Sequence, residues 1–100
     1  MHVVRFHFIC RASRGVTLLP DGCFESGGWI VAHAHTVTAK ELALHEHRKH
    51  HSYMQGTILD VRRDPKDDRF IFKVRRKDPP LPWPPNSGTG EKGYVWEELT

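Results

Sequence analysis

The sequence predicts a mainly β, α+β domain: a small bent antiparallel sheet or a partly open β-barrel carrying one or two short helices. Three observations lead there. Apolar and polar residues alternate over several short stretches, the period of a strand with one buried face. Glycine, proline and aspartate clusters punctuate those stretches at short intervals. The chain has 100 residues, 38% of them hydrophobic and 27% charged, which suits one modest core and excludes a large multidomain enzyme.

Residues 3–9 alternate first, with Val3, Arg5, His7 and Ile9 on one face and Val4, Phe6, Phe8 and Cys10 on the more apolar other. Two turn signals, Ser13-Arg14-Gly15 and Pro20-Asp21-Gly22, bracket Val16-Thr17-Leu18-Leu19, a short strand or an extended cover. Gly27-Gly28 then releases the backbone before Trp29-Ile30-Val31-Ala32, an apolar run of strand length.

Residues 38–50 fit helix or strand. Thr38-Ala39-Lys40-Glu41 has capping-box spacing, whereas a helix continued through His45-Glu46-His47-Arg48-Lys49-His50-His51 has almost no apolar stripe to bury. A helical turn followed by a strand is the favoured assignment. Residues 52–61 read as a strand whose Gly56 marks a bulge or a close backbone approach. A polar turn at residues 63–68 joins it to residues 69–75, where Phe70, Phe72 and Val74 share one side, so the pair forms an antiparallel hairpin.

Five prolines fall within residues 78–85, which must therefore run extended without donating to a ladder. Residues 86–90 read as a flexible connection, and Tyr94-Val95-Trp96 as a last edge strand. The domain thus divides into a barrel-like unit over residues 1–78 and, over residues 79–100, a proline-rich strap with a C-terminal edge segment packed on the same unit.

Charge and composition narrow the function. The net charge is +3, and eight histidines make the chain more basic in acid, which permits polyanion binding. Cys10 and Cys23 lack metal-type or redox spacing and read as thiols in a reducing compartment. No apolar run reaches membrane-spanning length and the N-terminus has no signal pattern, so a cytoplasmic protein without membrane contact is expected. Neither a nucleophile elbow nor a phosphate loop is present; the glycines of residues 87–93 lack the required order. No catalytic residue and no cofactor are assigned.

Two constellations remain. His33-x-His35 and His45-x-His47 each place two imidazoles on one face if strands carry them, so these four are candidate ligands for zinc or another divalent transition metal in an alternative reading. The other set is aromatic and polar. Trp29 and Tyr53 offer flat rings, Ser52 and Gln55 can read a base edge, and Arg62, Arg63, Lys73, Arg75 and Arg76 can hold phosphates. Each tryptophan equally suits core or strap packing.

The order Gly28-Trp29-Ile30-Val31, then Leu42-Ala43-Leu44-His45-Glu46, then Ser52-Tyr53-Met54-Gln55-Gly56-Thr57-Ile58 and Phe70-Ile71-Phe72-Lys73-Val74 resembles a small PUA-like domain of the EVE and ASCH type. The likeness covers residues 28–76. It implies a compact bent barrel that recognises RNA or modified bases in DNA, with a pocket near Trp29, Ser52 and Tyr53. The histidine-rich loop and the proline strap depart from that pattern. A third reading makes residues 79–85 the contact for a protein partner or a dimer.

Overall fold

The computed structural model describes residues 1–85 and 90–98. The elements run β1 (His2–Ile9), a 3₁₀ turn (Arg11–Ser13), β2 (Val16–Leu18), β3 (Cys23–Trp29), α1 (His33–Thr38), β4 (Glu41–His45), β5 (Met54–Arg63), β6 (Phe70–Arg76) and β7 (Lys92–Glu97). All seven strands join one sheet in the order β2-β3-β6-β5-β4-β1-β7, so the fold is mainly β with little helix. The sheet is open, with β2 and β7 as its edges. It is also mixed: β1 and β4 pair in parallel, with Phe6 beside Leu42 and Phe8 beside Leu44. Parallel neighbours need a crossover connection, which here consists of β2, β3 and α1.

The alternation of residues 3–9 holds except at its start. A register shift between Val3 and Arg5 sends Val3 rather than Val4 into the core, because one extra residue in a strand inverts every side chain beyond it. Similarly, Gly27-Gly28 is not a boundary. It forms a bulge inside β3, with Gly28 at φ +84°, and the strand ends at Trp29 instead of beginning there. The run through Ala32 leads into α1, which ends at Thr38, where the capping-box spacing predicts a start. The helical turn and following strand are both present, shifted towards the N-terminus.

The β5–β6 hairpin and the β7 edge strand stand where the alternation places them. A Cβ on Gly56 would overlap the Arg75 carbonyl, so the close approach is real, while the register shift of β5 lies between Ile58 and Asp60. Residues 86–89, the predicted flexible connection and much of the glycine-rich stretch, lie outside the described residues.

The sheet curls around one aromatic core. Phe6, Phe8, Phe24, Phe72, Leu42 and Leu44 are fully buried. Phe8 of β1 stacks on Trp29 of β3 at 4.0 Å between ring centroids, although three strands separate β1 from β3 in the sheet. Only strong curvature brings those strands together. Truncating one such ring to alanine costs about 3–5 kcal/mol.

The opposite face of β1, β4 and β5 is also covered. There the proline strap closes over His7, His45 and Gln55, all buried. Ser52 N–H donates to the Leu81 carbonyl and Leu81 N–H to Ser52 Oγ, both at 2.8 Å, while Lys77 N–H donates to the Gln55 carbonyl at 3.0 Å. The Trp83 indole lies edge-to-face against both imidazoles, at 5.9 Å from His7 and 5.0 Å from His45. No helix among the described residues is long and apolar enough to cross a membrane.

Candidate functional site

A cleft of about 790 Å³ opens where the end of β1, the 3₁₀ turn, the β3 bulge and the β5–β6 hairpin meet. Its aromatic wall is Trp29, positioned because the bulge at Gly27-Gly28 restores the register that lets the indole reach Phe8. Trp29 Nε1 donates to the buried Ser26 Oγ at 2.8 Å, which fixes the ring. One indole face is taken by Phe8. The ring therefore cannot be sandwiched between two ligand rings.

Four arginines line the cleft, and they are not equivalent. Arg62 makes a two-pronged contact with Glu25, at 2.6 and 3.2 Å, and this hydrogen bond holds the Glu25 carboxyl below its ordinary range. Arg69 reaches Asp67 at 3.9 Å and the Gly28 carbonyl at 3.5 Å. Arg11 and Arg14, on the exposed 3₁₀ turn and its C-terminal flank, form no ion pair among the described residues. An anionic ligand would meet these two first.

Of the sequence-predicted residues, the structure brings Trp29 and Arg62 to the cleft. Ser52 and Gln55 are buried beneath the strap: Ser52 Oγ donates to Gln55 Oε1 and Gln55 Nε2 to the Lys77 carbonyl, both at 2.6 Å. Their polar atoms hold the chain together rather than face a ligand. The Tyr53 hydroxyl donates to the Cys10 carbonyl at 2.6 Å, and burial, together with the neighbouring Cys10 side chain, pushes its ionisation upward. Arg63 pairs with Asp68 at 2.9 Å and lies over the Phe70 ring at 4.6 Å. Lys73 and Arg75 are exposed on β6, and Arg76 Nη2 contacts the Tyr53 carbonyl at 3.5 Å. The predicted pocket joining Trp29, Ser52 and Tyr53 is not assembled.

The histidine pairs separate as well. His33 and His35 sit on α1, where residues two apart point to different sides, so the condition for pairing them, a strand, is not met. His35 packs at 5.2 Å from Tyr94 and 5.3 Å from Trp96, and His47 lies 5.8 Å from His50 in an exposed turn. His45 is buried with His7. The four do not converge, and among the described residues no group of three or more His, Cys, Asp or Glu side chains is arranged to hold a metal ion.

His7 and His45 instead form a directional chain. His45 Nδ1 lies 3.0 Å from the His50 carbonyl, which can only accept, so Nδ1 carries the proton and Nε2 accepts. His7 Nδ1, 2.8 Å away, must then donate to it, leaving His7 Nε2 to accept from Arg5 Nε at 2.8 Å. Both imidazoles are neutral in this arrangement. Burial, with Arg5 and His45 nearby, lowers the His7 pKa to about 3; burial lowers that of His45 too, against the pull of the His50 carbonyl. Arg5 is balanced by Glu41, which also pairs with Lys77; these cations outweigh burial and keep the Glu41 carboxyl low.

Comparison with protein-family models, curated proteins and solved structures yields no match. The chain's own geometry carries the functional reading. Arg11, Arg14 and Arg69 carry no site signal of their own in the sequence. The available signal was the turn Arg11-Ala12-Ser13-Arg14-Gly15 following directly on the strand that holds Phe8.

Proposed function

We propose that this protein is a non-catalytic nucleic-acid-binding domain of PUA-like character, with its ligand site in the Trp29 cleft. The observation that carries the reading is one juxtaposition. A fixed indole with one face against Phe8 stands beside Arg11 and Arg14, two cations without ion pairs among the described residues. Bases stack on exposed aromatic faces with little dependence on sequence, and arginine holds the adjoining phosphates. Arg62 and Arg69 keep the walls in place through their own contacts. Ser52, Tyr53 and Gln55 serve the fold, so the base edge meets backbone and cleft-wall groups instead.

The test is titration of single-stranded RNA and of modified and unmodified DNA oligonucleotides, following tryptophan emission at two salt concentrations. Binding should quench emission and weaken steeply with salt. Arg11→Glu with Arg14→Glu should abolish it while leaving the melting temperature in place, since both side chains are exposed. Binding that ignores salt, or survives that double substitution, would overturn the proposal.

A further inference from the structure

Beside the main cleft lies a smaller recess of about 170 Å³, and the two share Ile9, Arg11 and Glu91. Its other wall is His47 and Arg48, from the loop joining β4 to β5. That loop is held in place. Both Glu46 carboxylate oxygens accept from Ala12 N–H, at 3.0 and 3.3 Å, which ties it to the 3₁₀ turn bearing Arg11. His50 N–H donates to the His47 carbonyl at 3.1 Å, Lys49 N–H to His47 Nδ1 at 3.1 Å, and His45 anchors the His50 carbonyl from below.

The loop thus presents a braced, exposed row of His47, Arg48, Lys49, His50 and His51. The Glu46 carboxylate is turned to the 3₁₀ backbone, and Glu91 lines both cavities. At ordinary ionic strength charges act over about 8–10 Å, so cations contiguous with the cleft matter to a ligand seated there and distant ones do not.

We infer that residues 47–51 form a second, sequence-independent subsite for the phosphodiester backbone of a single strand that leaves the Trp29 cleft past Arg11. This rests on the cleft being the nucleic-acid site. It assigns the loop a role in holding strand length: a dinucleotide fills the cleft alone, whereas a longer strand also engages the loop.

Fluorescence anisotropy with labelled single-stranded oligonucleotides of two and of eight nucleotides tests it, comparing the native protein with the Arg48→Ala/Lys49→Ala variant. The substitutions should weaken the octanucleotide about tenfold, flatten the slope of log K against log salt by about 1.4, at roughly 0.7 per lost contact, and leave the dinucleotide unchanged. Lys40→Ala, at the opposite end of β4, should leave both unchanged. Equal loss on both lengths, or no loss on the octamer, overturns the loop subsite while leaving the cleft intact. No binding of either length by the native protein overturns both readings. Displacement of the octamer by polyglutamate at equal charge concentration overturns the assignment to nucleic acid.

Discussion

The two faces of this small sheet treat polar groups in opposite ways. Beneath the strap, Arg5, His7, His45, Ser52 and Gln55 form chains in which each named donor has its acceptor. In the cleft, arginines stand at the surface, two of them unpaired among the described residues and the others in solvent-exposed contacts. Buried polar groups are costly to leave unmatched, whereas exposed ones are cheap to alter. Polar character alone therefore does not mark a binding site. The strapped face commits its polar groups to fixed internal contacts, whereas the cleft leaves them at the surface, where the proposed ligand would meet them.

His45→Leu should break this contrast most severely. It strips the acceptor from His7 Nδ1 and the donor from the His50 carbonyl, so a loss of about 2–4 kcal/mol in urea unfolding is expected. Arg11→Ala with Arg14→Ala in the cleft should stay within about 0.5 kcal/mol of the native value. Comparable losses for the two variants would erase the distinction.

Acid should sharpen it. Unfolded imidazoles take up a proton near pH 6.5, while His7 resists until about 3 and His45 titrates below its ordinary value. Between those limits the unfolded chain binds more protons. Stability is therefore full above about pH 6.5 and falls as the pH is lowered, by at most about 1.4 kcal/mol per pH unit for each histidine, levelling off below the folded values. Urea midpoints from pH 8 to 4 check this, and a flat profile would show that neither ring is held neutral.

The smallest effect is expected at Trp83. Among the described residues its buried Nε1 has no acceptor, so Trp83→Phe keeps an aromatic ring beside His7 and His45 and removes an unmatched donor. Stability should rise by up to about 1 kcal/mol in the same assay. A clear loss would mean that indole packing outweighs the orphaned N–H.

Much of the fold was legible because it is local. The β5–β6 hairpin announces itself through Phe70, Phe72 and Val74 and a polar turn, and β7 through its short apolar alternation. The parallel β1–β4 pairing was not legible, since nothing in either strand names a partner so distant in sequence. Trp29 ends β3 rather than opening the next strand, a difference the sequence conceals because a glycine pair reads alike as boundary or bulge. At the site, Ser52 and Gln55 look like surface recognition groups until the strap is laid over them. Arg11 and Arg14 look like ordinary turn residues until the sheet curls and sets them beside the indole.

The position of β1 has a kinetic consequence. This strand lies between β4 and β7, and neither neighbour is close to it along the chain. Closing such distant pairs costs loop entropy before the contacts repay it, and sheets built this way fold on the order of milliseconds to seconds. The hairpin of β5 and β6 can form early from its own residues. Phe8, which stacks on Trp29, comes from the strand that must wait for remote partners, so the Trp29 cleft is among the last parts of the molecule to take shape.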